Sequence, residues 1–178
     1  MKEIKLVRMS FGVCEYGHLV GPLKGKIPEK CNCGAKIQNE VFQPPVPERK
    51  HQNDAGFDLV STVDCVVTSD AVCKIPLGIK IQLPEEDDYI WEAQIRPRSG
   101  LAAEGLTIIN SPGTIDSSYR GELAALCIMQ LPGAEMRICR GDRVCQLVIT
   151  RIPKVRFIEV EKLDETERGA GGFGSTGL

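Results

Sequence analysis

No apolar run in the 178 residues approaches the roughly 20 needed to span a bilayer as a helix, so integral helical membrane proteins are excluded and no membrane partner is expected. Met1–Ser10 carries three cations and lacks the apolar stretch of a secretory signal. The chain is therefore expected to be soluble and to work inside the cell, in the reducing cytoplasm. No sign of charge dominates either. With 22 Lys+Arg against 24 Asp+Glu the net charge is −2, and bulk charge names no partner. Helical periodicity is nearly absent and no internal repeat is visible. The length suits one ordinary domain with a small appendage, enough to bury a real core.

The charge is unevenly spread. Residues 1–50 hold nine basic and five acidic groups, the remainder thirteen and nineteen, which hints at two modules. The front one gathers Cys14, His18, Cys31 and Cys33 within twenty residues. Four nitrogen and sulfur ligands are what tetrahedral zinc asks for, and Gly17 and Gly34 can form tight knuckles beside them. So short a segment has too little apolar content to fold alone, so zinc would supply its stability. The competing readings are a disulfide or four unrelated side chains. The pattern resembles a small zinc ribbon of structural role, with a protein or nucleic-acid partner as a further possibility. The other cysteines, Cys65, Cys73, Cys127, Cys139 and Cys145, stand singly in strand-like surroundings and are expected as small buried hydrophobes.

Gln43-Pro-Pro-Val-Pro47 reads as a stiff connector and a domain boundary, and His51 beyond it as a surface residue. The pattern then has period two. Ile75, Leu77, Ile79, Ile81 and Leu83 alternate as one half-buried strand, and Tyr89, Trp91, Ala93 and Ile95 as another. Further β-rich runs lie at 123–130, 143–149 and 155–160. Short strands with turn signals between them predict an all-β sandwich or barrel.

Within this frame Asn110–Glu122, N-S-P-G-T-I-D-S-S-Y-R-G-E, is a polar hairpin between two core strands. It is suited to holding a carboxylate and a phenol against a small ligand, although many such loops are simply solvated. Four more stretches bear chemistry. Ala55-Gly-Phe-Asp-Leu59 sets Asp58 among apolar neighbours. Arg96-Pro-Arg-Ser-Gly-Leu-Ala102 ends a strand in two guanidiniums and enters one helical turn at Ser99, a place for phosphate. Gly141-Asp-Arg-Val-Cys-Gln-Leu147 places the Gln146 amide in a core strand. The tail from Arg168 to Gly177 combines five glycines, two hydroxyls and Phe173, suiting it to wrap phosphates and cover a flat ring. It is not a P-loop, since no lysine precedes Ser175-Thr176.

In this order and spacing the five stretches resemble the motifs of the trimeric deoxyuridine triphosphate pyrophosphatases (dUTPases), over residues 41–178. The resemblance implies an all-β, distorted jelly-roll subunit (a dUTPase-like β-clip) in a homotrimer with active sites between subunits. The front module lies outside the family pattern, and the chain is expected to divide into a zinc-ribbon-like module at 1–40, the β domain at 41–167 and a Gly-rich active-site tail at 168–178. The implied reaction is Mg2+-assisted hydrolysis of dUTP to dUMP and pyrophosphate by water attack on the α-phosphorus, which limits uracil in DNA and supplies dUMP. Asp116 would be the general base. Asp58 would hold Mg2+ mainly through water. Arg98, Ser99, Gln146, Arg168, Ser175 and Thr176 would bind the phosphates, Gly100 and Gly174 would be further substrate-binding residues, and Phe173 would cover the base. Asn110, Gly113, Thr114 and Ile115 would read uracil, and Tyr119 would pack under the deoxyribose and exclude a 2′-hydroxyl. Arg98 could instead make an intersubunit ion pair, whereas Arg120, Arg143 and Asp142 read as structural.

Departures from the family pattern are Phe57, Ser118 and Cys145, none of which touches the proposed chemistry. The nearest rival, dCTP deaminase, shares the fold but needs a glutamate in the strand after the hairpin, where this chain has Leu123-Ala-Ala-Leu-Cys-Ile-Met-Gln130. A regulatory protein that keeps the fold and binds a partner or nucleic acid through its zinc module is a reading of another class.

Overall fold

The computed structural model describes residues 3–14, 19–20 and 37–172. Its strands are β1 (Lys5–Arg8), β2 (Phe11–Cys14), β3 (Leu19–Val20), β4 (Ile37–Phe42), β5 (Gly56–Val60), β6 (Cys65–Thr68), β7 (Cys73–Pro76), β8 (Ile79–Gln82) and β9 (Tyr89–Arg96). One short helix, α1 (Ser99–Ala103), follows. Then come β10 (Leu106–Ile108), β11 (Gly113–Ile115), β12 (Ala124–Met129), β13 (Glu135–Ile138) and β14 (Arg143–Pro153). The described part is thus all-β with a single helical turn and a half, consistent with a jelly-roll type of fold.

Alternation explains the burial. In β12 every second residue, Ala125, Cys127 and Met129, is buried, and β8 buries Ile79 and Ile81. Together with Ile75, Leu77, Leu106, Leu123 and Val144 they form one core, each large aliphatic contributing about 1.5–3 kcal/mol by leaving water. Buried hydroxyls are satisfied: Ser61 Oγ donates to Val63 O at 2.7 Å and Thr62 Oγ1 to Pro76 O at 3.0 Å.

The sheet order β11-β9-β14-β5 leaves β11 and β5 as edges, and a second sheet runs β10-β12-β7. The segment 109–123 connects β10 to its antiparallel partner β12, yet its own strand β11 pairs with β9 of the other sheet. The predicted hairpin is therefore a bridge between two sheets, entered through a cis Ser111-Pro112 peptide.

Four expectations are corrected. The run Ile75–Leu83 is not one strand: it breaks at Leu77-Gly78, where Gly78 takes φ +66°, and β7 and β8 join different sheets. All five of its apolar residues are buried. The β-rich run at 155–160 forms no strand, and Phe157 and Ile158 stand exposed, with no strand paired to the run among the described residues. Cys139 is exposed in the turn after β13, while Cys127 and Cys145 are buried as expected. Finally, the front unit does not span 1–40 as a body apart. β1 pairs antiparallel with β8, Leu6 opposite Ile81, so residues 5–8 belong to the main domain. The strands β3-β2-β4 form their own sheet, with Phe11 opposite Phe42 at its root.

Candidate active site

Strand β9 delivers the centre of the site. Its last residues run into Pro97 and Arg98, and Arg98 caps α1 without a side-chain cap bond. Ser99 and Gly100 open that turn, exposed, with no acidic residue in it. A Cβ on Gly100 would meet nothing within 4 Å, so packing does not demand glycine there and open space lies over the backbone.

Asp58, midway along β5, clamps two guanidiniums. Its Oδ1 accepts from Arg98 Nε and its Oδ2 from Arg143 Nη1, each at 2.9 Å, with the three side chains only partly exposed. Arg98 Nη1 also donates to Arg143 O at 2.9 Å, which fixes the fork. Arg98 thus has its ion-pair partner within its own chain. Gln146, opposite Asp58 in the β14–β5 pairing, donates through Nε2 to Pro97 O at 2.8 Å and ties β14 to the Arg98 loop. Its carboxamide lies over Gly56, where any Cβ would overlap it. Asp58, Arg98, Ser99 and Gln146, predicted separately, are brought together here. Arg143, expected as structural, joins them through its ion pair with Asp58.

The second cluster is the bridge. Asp116 follows β11 and is exposed, and its carbonyl accepts from Tyr119 N at 3.0 Å. Tyr119 folds back so that its hydroxyl donates to Glu122 O at 3.0 Å. Gly121 permits this, since a Cβ there would overlap the phenol. Arg120 Nη1 braces the turn on Ser117 O and Tyr119 O, at 2.6 and 2.9 Å. Asn110 and Thr114 are exposed, Ile115 is half-buried, and Gly113 is buried beneath the Asn110 carboxamide. Because β11 is an edge strand, the backbone groups on its outer side have no strand partner among the described residues and can meet the edge of a flat ring.

The two clusters are not brought together within one chain. Ile115 lies opposite Ala93, whereas Gln146 lies opposite Arg96. At about 3.4 Å per strand residue, Asp116 stands on the order of 13 Å along β9 from Arg96, and farther from Arg98.

Arg168 closes a turn, its Nε donating to Gly171 O at 2.9 Å. Phe173, Gly174, Ser175 and Thr176 lie outside the described residues, as do His18, Cys31 and Cys33 of the expected zinc set. Cys14 ends β2, opposite Ile37. Asp142 is a turn acid, accepting from Cys139 N at 2.7 Å. His51 is exposed in a turn closed by Asp54.

The all-β fold is that of a class of nucleotide hydrolases. The dUTPase family model matches residues 43–177. Relatives named deoxyuridine 5'-triphosphate nucleotidohydrolase include one from Thermobifida fusca, 46% identical over 134 residues, covering 75% of this chain and 73% of the relative. One from Corynebacterium glutamicum is 48% identical over 134 residues, covering 75% and 87%. Among solved structures, the Staphylococcus bacteriophage 80alpha dUTPase with dUPNHPP superposes at a TM-score of 0.64 with 28% identity, covering 75% of this chain and 92% of that one. The chain belongs to the dUTPase family.

Proposed function

We infer that this chain is a dUTP pyrophosphatase that hydrolyses dUTP to dUMP and pyrophosphate. The observation that carries the reading of the site is the Asp58 clamp, which holds Arg98 and Arg143 beside Ser99 and Gln146 at one strand end. Two fixed cations, an amide and a hydroxyl suit a triphosphate, whose charge-assisted bonds are the strong ones. Asp116 takes the proton of the water that attacks the α-phosphorus. Edge groups of β11 read uracil, and Tyr119 lies under the deoxyribose, where a 2′-hydroxyl would clash.

Asp58 fits Mg2+ through water rather than directly. Both its oxygens already accept from guanidiniums, but a carboxylate has about four lone-pair sites, leaving room for metal-bound water. Among the described residues no three acidic, thiol or imidazole groups converge on a metal cage, so most oxygen ligands would come from the triphosphate and water. Bound there, Mg2+ would offset phosphate charge as the P–O bond breaks.

The separation of Asp116 from the clamp supports an active site completed between subunits, and hence a homotrimer in which one chain gives Arg98, Ser99 and Gln146, a second Asp116 and Tyr119, and a third its tail with Arg168, Phe173, Gly174, Ser175 and Thr176. The front cysteines with His18 are proposed to hold a structural Zn2+, which leaves a partner for that unit as a separate question. The cytoplasm is its proposed location. Among the described residues no helix is long and apolar enough to cross a membrane.

Incubation with dUTP, dCTP and dTTP plus Mg2+, with product identification, tests the activity. Asp116→Asn tests the base: turnover should fall by about 10²–10⁴, with dUTP affinity little changed. A variant within threefold of the parent would remove Asp116 from that role.

A further inference from the structure

Gly78 is held from both sides. Its φ of +66° belongs to glycine, and a Cβ there would lie 2.7 Å from Thr62 Cγ2, 3.0 Å from Pro44 Cγ and 3.2 Å from Phe11 Cε2. Its carbonyl accepts from Met9 N at 2.7 Å. On the opposite side its N–H, in a buried residue, donates to Glu122 Oε1 at 3.0 Å across 44 positions of sequence. The next residue of the bridge is pinned equally well, Leu123 N donating to Ile79 O at 2.9 Å and Leu77 N to Leu123 O at 3.0 Å. Glu122 O in turn accepts the Tyr119 hydroxyl at 3.0 Å. A continuous line of hydrogen bonds therefore runs from the Leu77-Gly78 break, through both ends of Glu122, to the phenol.

We propose that Glu122 is a positioning residue for substrate selection: its carboxylate anchors the end of the bridge on Gly78 N–H, and its carbonyl sets the height of the Tyr119 ring. Glu122 does not touch substrate. It acts through Tyr119, and the proposal rests on the reading of that ring as the platform under the deoxyribose. An N–H buried in a tight turn needs an acceptor, and removing one leaves an unpaired donor as well as a loosened loop. What the reaction needs from Glu122 is an acceptor oxygen, not a charge, so glutamine can replace it and alanine cannot.

The test uses full-length Glu122→Ala and Glu122→Gln, with hydrogen–deuterium exchange of residues 116–123 and kcat/KM for dUTP and UTP. Glu122→Ala should speed exchange in that segment and lower the dUTP-over-UTP preference by about tenfold or more, since small misplacements of positioning groups cost that much. Glu122→Gln should stay within about twofold on both readouts. Should Glu122→Ala not fold, Tyr119→Phe, which removes only the bond to Glu122 O, should speed exchange over 116–121. Unchanged exchange and preference in Glu122→Ala, or equal losses in alanine and glutamine variants, would overturn the assignment. Tyr119→Ala separates the two ideas. If it leaves the dUTP-over-UTP preference intact, the sugar-platform reading falls, and the exchange rates alone decide whether Glu122 holds the loop.

Discussion

Three thiols meet where β6, β7 and β12 adjoin. Cys73 lies opposite Cys127 in the β12–β7 pairing, and Cys65 opens the neighbouring strand β6. Burial pushes the Cys127 thiol from 9.0 up to about 12, helped by the neighbouring Cys73 and Cys65. Cys65 rises to about 12, first by burial and then through Cys73 and Asp64. Burial also raises Cys145, deep in β14. Such thiols are poor nucleophiles and behave as apolar side chains. They still couple stability to pH. In the unfolded chain they ionise near 9, while in the fold they stay protonated to about 12. Between those values the unfolded state binds fewer protons, so stability is whole below pH 9 and is lost as pH rises towards 12. Thermal melts from pH 7 to 11.5 should show a midpoint falling steadily above pH 9, and Cys127→Ala should flatten that fall. A midpoint that is flat to pH 11 would mean the thiols are not shielded.

Elements decide what the ends of the chain contribute. Beyond Pro153 no strand forms among the described residues, and Val155, Phe157, Ile158, Val160 and Leu163 are all exposed. The last ten residues of the sequence hold five glycines and only two large apolar side chains, Phe173 and Leu178, which gives them little apolar surface to bury. Removing residues 169–178 should leave the melting midpoint within about 2 °C, equivalent to about 0.5–1 kcal/mol for a chain of this size. Hydrolysis of dUTP should nevertheless fall at least about a hundredfold, because phosphate and ring contacts go together. Full activity in the truncated chain would show that Phe173, Ser175 and Thr176 have no part in the site. The strands were legible in sequence wherever a face is buried within one chain, as Ala125, Cys127 and Met129 show. Asp58, Arg98 and Gln146 stood out in the sequence as polar side chains beside apolar strand residues, and the fold joins their strands through the Asp58–Arg98 ion pair and the Gln146–Pro97 bond. Where one strand ended and the next began at Leu77-Gly78 was hidden, since the alternation of apolar residues continues through the break. The run at 155–160 has strand composition without a strand to pair with. The Gly78–Glu122 contact was invisible because its donor is a main-chain N–H, which no residue letter announces.

For the whole molecule, the exposed apolar side chains of residues 155–163 and an open apolar groove lined by Ile4, Leu6, Val46, Phe57, Ile81 and Ile149 offer hydrophobic surface that another subunit could cover. Both favour the proposed assembly, and both belong to the main domain. The front unit stands apart from them in a different sense than its position suggests. β1 precedes it and is a strand of the main domain, so the segment between Phe11 and Phe42 is an insertion rather than an extension. Its two ends meet as neighbours in an antiparallel pair, with Gly12 opposite Val41, at the roughly 5 Å spacing of such strands. Phe11 is buried and Pro44 packs with it against the Gly78 turn, so the root is held by the main core and not by a metal. Two consequences can be measured. Replacing Cys31 and Cys33 by serine should abolish zinc by elemental analysis and make residues 13–40 sensitive to protease, because metal binding supplies most of the folding energy of so small a unit. Replacing residues 13–40 outright by Asn-Gly, a dipeptide that closes two-residue hairpins, should join Gly12 to Val41 without strain. That shortened chain should melt as a single transition and hydrolyse dUTP with Mg2+ within about threefold of the parent, a change smaller than losing any one catalytic group would cause. Purified protein without zinc would remove the metal from the insertion, and a shortened chain that folds but does not hydrolyse dUTP would place part of the active site within it.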